Sequence, residues 1–262
     1  MASPGDLTVR SGRVKVARRL ATRAFRVKTG EFLAEGPQAV REALAEPGVV
    51  IEVFATVDAT ERYPELADMA ETWHVVTDDV VAEIADSVTP QGLVARCHSV
   101  LTTIEDIPED ARLVLVCAEI RDPGNLGAVI RCADAAGAAG VIVAGESVDP
   151  LNPKVVRATA GSLFHLPIAV EDDVEAVIAE LQSRGVQVLA ADGAGETGLF
   201  DADLDLTAPT AWMMGNEAHG LPDEWSALAD RVVHVPILGR AESLNLATAA
   251  AVCLYSSARE QG

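Results

Sequence analysis

VVHVPILGRAESLNLATAAAVCLYSSAR, Val232 to Arg259, is the stretch on which the reading of this chain turns. A short β-branched run, Val232 to Val235, predicts a strand. A Pro-Ile-Leu-Gly loop follows, and then a helix opening at Ser243, whose side chain suits an N-terminal cap. From Leu244 to Tyr255 nearly every position is apolar or small, which predicts a buried helix without a polar face. Ala247, Ala249, Ala250 and Ala251 would let a second helix or a ligand approach closely. Ser243 and Asn245, beside Glu242 and Arg240, put polar groups at the mouth of that helix, where a site can be built.

Working outward, the preceding segments alternate between strands and helices. Leu113 to Ala118 is a continuous apolar run of the kind found in a central parallel strand. A helix over Gly124 to Ala136 follows, closed by Gly137. Strands at Val141–Ala144, His165–Val170, Val186–Ala191 and Thr210–Met214 are separated by helices at Pro153–Ala160 and Val174–Arg184. This pattern predicts a parallel sheet with helices on both faces. On such sheets ligands bind beyond the carboxyl ends of the strands. The polar clusters fall there: Glu119–Asn125, Asp192–Gly195, Asn216–Gly220 and Leu238–Asn245. Upstream, strands at Glu31–Ala34, Val49–Ala55, Trp73–Val76 and Gly92–Ser99 with intervening helices predict a smaller α/β domain. The polar, acidic, proline-containing TTIEDIPEDA, Thr102 to Ala111, reads as a linker. The division is therefore 1–101, linker 102–111, and 112–262.

The 262 residues supply ample material for a core and carry a formal charge of −20. That charge opposes nucleic-acid binding, but its distribution does not. Arg10, Arg13, Lys15, Arg18, Arg19, Arg23, Arg26 and Lys28 crowd the first thirty residues against Asp6 alone, and Val14 to Arg26 reads as a basic helix. A charge run is usually a solvated face; concentrated at one end, it is equally the footprint of an RNA or DNA contact. No apolar run is long enough to span a membrane, and the basic N-terminus lacks the apolar core of a secretory signal, so a cytoplasmic protein is expected. Cys97, Cys117, Cys132 and Cys253 have neither metal-ligand nor redox spacing and read as buried thiols. There is no dinucleotide fingerprint, no P-loop and no metal-binding His pattern. Cys117 with His219 and Glu217 lacks a nucleophile signature.

Three loops remain: EIRDPGNLGAVIRCADAAGA (Glu119 to Ala138), WMMGNEAHGLP (Trp212 to Pro222) and the opening stretch. In this order and spacing they resemble the motifs of the SpoU, or TrmH-like, family of RNA 2′-O-ribose methyltransferases within the knotted methyltransferase superfamily. GEFLAEGPQAVREAL (Gly30 to Leu44) and TPQGLVA (Thr89 to Ala95) resemble the ribosomal-protein-like α/β substrate-binding domain fused to many of these enzymes.

The resemblance implies an α/β chain whose C-terminal parallel-sheet domain is tied in a trefoil knot around S-adenosylmethionine, a topology that chain-tracing rules alone would exclude. It implies cofactor contacts from Gly215, Val235 and Leu244, with Asn216, Ala191, Asp192, Ile237 and Leu238 bordering the same pocket. Arg131 takes the place of the family's catalytic arginine, with Asn125, Glu217, Ser243 and Asn245 completing the polar site. His219 fills a variable position. Arg18, Arg19, Arg23, Arg26 and Lys28 are the expected RNA contacts. The implied partners are RNA, 23S rRNA ahead of tRNA, and a second copy of the chain through the C-terminal domain; no metal or membrane is expected. A non-catalytic RNA-binding or assembly protein of the same fold is the alternative class.

Overall fold

The computed structural model describes residues 5–216 and 220–262. They divide into two compact units, and the division is not where the chain's composition changes. The first unit runs to Val100 and also takes in Asp149–Phe164; the second comprises Leu101–Val148 and His165–Gly262.

In the first unit, β1 (Glu31–Glu35), β2 (Val50–Thr56), β3 (Trp73–Val76) and β4 (Leu93–His98) form a sheet of order β1-β4-β2-β3. β4 is antiparallel to both neighbours, and β2 and β3 are parallel. One row of side chains across this sheet is charged. Arg96 Nε donates to Glu31 at 2.8 Å and its Nη1 to Glu52 at 2.7 Å. Glu52 also accepts from Arg13 at 2.9 Å and pairs with His74 at 3.0 Å. Each of these chain positions lies on a different strand or on the first helix, so the row laces the sheet together.

Three expectations fail in this unit. The basic segment is two helices, Gly12–Arg19 and Arg23–Thr29, because the chain turns at Leu20–Thr22. Arg26 is not a surface residue at all. It is 4% exposed, donates from Nη1 to the Leu20 carbonyl at 2.8 Å, and pairs with Asp149 at 2.5 Å. The helix expected as part of the second domain, observed at Pro153–Thr159, likewise belongs here. Arg157 on it reaches Glu35 at 3.0 Å and Asp86 at 2.9 Å, and Phe164 stacks on Phe32 with centroids 6.1 Å apart.

The second unit is built on an eight-stranded sheet in which every neighbouring pair is parallel. Its strands are β5 (Leu101–Thr102), β6 (Leu113–Ala118), β7 (Gly140–Ala144), β8 (Ile168–Glu171), β9 (Gln187–Ala191), β10 (Thr197–Gly198), β11 (Thr210–Met214) and β12 (Arg231–His234). The order is β10-β12-β9-β11-β6-β7-β8-β5. β6 and β11, at the centre, are buried at every position, as their unbroken apolar runs require. The expected linker 102–111 is instead part of this unit. Its start pairs with β8, and Ile104, Ile107 and Ala111 lie in the hydrophobic core. Its polarity misled because only these three apolar residues turn inward.

One connection has unusual geometry. β10 follows β9 directly in the chain, yet β12, formed much later, lies between them. The 192–196 loop must therefore pass across β12. It passes so closely that a Cβ on Gly195 would sit 2.7 Å from the Val232 carbonyl oxygen.

The C-terminal helix begins at Leu246, later than its composition suggests. Asn245, not Ser243, is the cap, its Oδ1 accepting from the Ala247 amide at 3.0 Å. Only Ala250, Cys253, Leu254 and Ser257 are buried on it. The buried serine is satisfied by Trp212, whose Nε1 donates to its hydroxyl at 2.9 Å. Tyr255 is exposed, so the helix covers the sheet with one face rather than vanishing into the core. Among the described residues no helix is long and apolar enough to cross a membrane.

Candidate functional site

Because the strands are parallel, the carboxyl ends of β12, β9 and β11 emerge side by side, and the loops leaving them enclose a cavity of about 380 Å³. This lies within the range of small-molecule sites. Ala191, Asp192 and Gly193 enter from β9; Met214, Gly215, Asn216 and Gly220 from β11; Val233, His234, Val235 and Ile237 from β12. Glu242, Ser243, Leu244 and Asn245 lead into the C-terminal helix, which adds Leu246 and Ala249, and Asn125 completes the lining.

Short hydrogen bonds hold these loops together. The Asp192 amide donates to the Val233 carbonyl at 3.0 Å, and the Asp192 carboxylate accepts from the Ala194 amide at 2.8 Å. Asn216 and Gly220 exchange two backbone hydrogen bonds, at 3.0 and 2.8 Å, closing the second motif into a tight loop. Gly215 owes its identity to that closure. A Cβ there would sit 2.6 Å from the carbonyl carbon and oxygen of Gly220.

The side chain of Asn216 donates to the Glu119 carbonyl at 3.2 Å, joining the second motif to the first. Glu119 makes this possible by adopting a left-handed backbone, φ 54°, a strained state for a residue with a side chain. Asp122 then caps the Pro123–Ala135 helix, accepting from the Asn125 amide at 2.8 Å. The Asn245 amide group donates to Asn125 Oδ1 at 3.3 Å, so the first and third motifs meet at their asparagines.

Of the sequence-selected residues, the cavity gathers Asn125, Ala191, Asp192, Gly215, Asn216, Val235, Ile237, Ser243, Leu244 and Asn245. It does not gather Leu238, which points away and is 91% exposed, because the loop after Pro236 turns outward between Ile237 and Glu242. Arg131 is exposed, outside the lining, and makes no ion pair among the described residues. At roughly 100° per residue, six positions separate it from Asn125 by about a third of a turn, so the two cannot share a helix face. Glu217 and His219 lie outside the described residues.

Residues not expected at the pocket also line the cavity, notably Met214, Gly220, Val233 and His234. The strand register could have found Val233 and His234, since both end the strand whose loop was selected. Cys117 is fully enclosed in β6, where burial pushes its thiol far up, so it has no thiolate to offer. Among the described residues, the charged groups in the lining are the carboxylates of Asp192 and Glu242, with no lysine or arginine.

Comparison with known proteins places two families along the chain. Residues 112–255 match the SpoU rRNA Methylase family, and residues 12–95 match the MRM3-like substrate binding domain. The chain is 34% identical over 252 residues to the 23S rRNA (guanosine(2553)-2′-O)-methyltransferase RlmP of Bacillus subtilis, covering 95% of this chain and 96% of that protein. It is 31% identical to the 23S rRNA (uridine(2479)-2′-O)-methyltransferase of Streptomyces viridochromogenes, covering 92% and 87%. Among solved structures it is similar to the SpoU methyltransferase AviRb of Streptomyces viridochromogenes in complex with the cofactor AdoMet. That likeness has a TM-score of 0.85 at 30% identity, over 95% of this chain and 98% of that one. It is similar also to an AdoMet-bound rRNA methyltransferase of Sinorhizobium meliloti, with a TM-score of 0.84 at 33% identity over 96% of each chain.

Proposed function

Since the chain belongs to the SpoU rRNA Methylase family, we propose that it is a cytoplasmic enzyme that methylates a ribose 2′-oxygen of 23S rRNA from S-adenosylmethionine. The observation that carries the proposal is the cavity at the ends of β9, β11 and β12. Its lining suits this cofactor: close backbone at Gly215, Val235 and Leu244, apolar side chains at Met214, Ile237 and Ala249, and, among the described residues, two carboxylates without a competing cation. A cationic ligand is favoured beside Asp192 and Glu242. When bound, the cofactor supplies a methyl carbon made electrophilic by a positively charged sulfur.

The protein's share of the chemistry is position and charge. The Asn125–Asn245 contact and Ser243 hold polar groups at the cavity wall, where they can orient a ribose for in-line attack. The attacking hydroxyl must lose its proton, to solvent, as it reacts. Arg131 is a poor candidate to take it, since a guanidinium stays protonated. Its role is to neutralise the emerging alkoxide or the adjacent phosphate, and it is exposed, with no ion pair among the described residues. Glu217 retains the family's role in the polar site as part of the same proposal.

The remainder of the family reading follows. The passage of the 192–196 loop across β12 supports a trefoil knot. The first unit, a ribosomal-protein-like substrate domain, binds structured RNA through exposed Arg18, Arg19, Arg23 and Lys28. Exposed Ile237, Leu238, Leu244 and Tyr255 support a homodimer through the C-terminal face, which sedimentation at micromolar concentration tests. The decisive assay is methyl transfer from labelled cofactor to purified 23S rRNA and tRNA. Labelling of a ribose in 23S rRNA, lost in Arg131→Ala, is expected. Labelling of tRNA alone overturns the substrate, and absence of both transfer and cofactor binding at millimolar concentration overturns the reading as a whole.

A further inference from the structure

The segment that crosses β12 and then pairs with it as β10 is Asp192–Gly198, DGAGETG, three of whose seven residues are glycine. A chain so rich in glycine loses more conformational freedom on ordering than any other, so its fixed course needs an explicit restraint. Its start is restrained by hydrogen bonds from Asp192 N to Val233 O at 3.0 Å, from Gly195 N to Asp192 O at 3.1 Å and from Ala194 N to the Asp192 carboxylate at 2.8 Å, and its end pairs with β12 as β10. A further restraint, at the crossing itself, comes from a side chain. His234 Nδ1 lies 2.9 Å from the Gly195 carbonyl oxygen, at the point where the loop passes over the strand. A carbonyl has no proton to give, so Nδ1 carries the hydrogen and donates. The His234 carbonyl in turn accepts from the Leu199 amide at 2.9 Å, fastening the loop's far end. His234 and the loop's Asp192 and Gly193 all line the cavity.

We propose that His234 is a positioning residue of the ligand pocket: its imidazole clamps the Gly195 carbonyl and so holds the glycine-rich 192–198 loop in place as the cavity wall. This rests on the reading of that cavity as the cofactor site. The clamp acts on binding rather than on the methyl-transfer step, because the wall it holds stands among the cofactor-lining residues and Asn125 and Arg131 lie on another element.

The test uses the full-length protein and S-adenosylmethionine, with calorimetry and initial rates on 23S rRNA. The wild type must bind; if it does not, the reading of the cavity fails and the clamp is a separate matter, answered by hydrogen exchange. His234→Ala, losing one hydrogen bond to a loop that must then be ordered by the ligand, binds about tenfold more weakly. The cofactor KM rises by a similar factor, with kcat at saturation within about twofold of wild type. His234→Asn, whose side-chain amide can donate from nearly the position of Nδ1, recovers most of the affinity. Amide exchange over 193–198 in the ligand-free protein is faster in His234→Ala and near normal in His234→Asn. Unchanged affinity and exchange in His234→Ala overturn the proposal, as does an asparagine variant no better than the alanine. If the alanine variant fails to fold, the asparagine and a His234→Leu variant compared by exchange decide it, with equal protection in the two counting against the clamp.

Discussion

At the scale of single residues, the pocket depends on where side chains are missing. Gly215 looks, from sequence, like a position kept bare to admit a ligand. The structure gives a different reason, because the first atom a side chain would strike is the Gly220 backbone rather than anything in the cavity. Gly215→Val should therefore force apart the Asn216–Gly220 loop and abolish cofactor binding in calorimetry, with altered amide exchange around 215–221 even without ligand. Arg26 makes the opposite point. Its charge is nearly sealed and paired with Asp149, and removing one partner of such a pair leaves the other charge buried and uncompensated. Arg26→Ala should cost about 3–5 kcal/mol in denaturant unfolding of the first unit, whereas an arginine spent on RNA would cost almost nothing there.

At the scale of elements, the charged row Glu31–Arg96–Glu52–His74 gives the four-stranded sheet a pH-dependent stability. Burial alone would raise the Glu52 carboxyl, but hydrogen bonds from Arg96, Arg13 and His74 and the charge of Arg96 outweigh it and hold the carboxyl below its ordinary 4.5. A carboxyl held low when folded contributes stability that is complete above its unfolded value and is lost as pH falls through the folded one. Thermal unfolding followed from pH 7 down to about 3 should show a loss of stability beginning below about 4.5 that Glu52→Gln, already weaker at pH 7, does not share.

Elements also mark the limit of what could be read beforehand. The runs of β6 and β11 announced a buried parallel sheet because burial on both faces leaves no polar position to confuse the pattern. The glycine and asparagine loops announced the cavity because parallel strands must all end on one side. The Pro153–Thr159 helix did not disclose its unit, since an apolar stripe states that a face is covered and not by what. The start of the C-terminal helix was misjudged by a similar degeneracy: Ser243 and Asn245 cap equally well, and only the course of the loop selects Asn245. Arg26 escaped for the same reason, its partner standing 123 residues away.

At the scale of the whole molecule, a protein of net charge −20 must confine its attraction for phosphate to one region. Exposed Arg19, Arg23 and Lys28 on the first two helices supply that region, Arg19 lying 4.1 Å over the Phe25 ring. Replacing these three with glutamine should weaken rRNA binding and lower the log-log salt slope by roughly 0.7 to 0.9 for each phosphate no longer neutralised. Filter binding between 50 and 200 mM salt, the range over which phosphate neutralisation changes affinity most visibly, reads this directly. Cofactor affinity should stay at the wild-type value.

The placement of Asp149–Phe164 in the first unit has a consequence in time. A ribosome completes the first unit's four strands by His98, but the chain does not yet contain the partner of Arg26, the aromatic ring that stacks on Phe32, or the arginine that reaches Glu35. These arrive 51 to 66 residues later, at Asp149, Arg157 and Phe164, a delay of roughly 3–13 s at ordinary synthesis rates. Throughout that interval the nascent sheet presents an unpaired buried cation and a bare apolar ring. The same lag defines the transferable module: a graft cut at Val100 carries the sheet and leaves one of its walls behind.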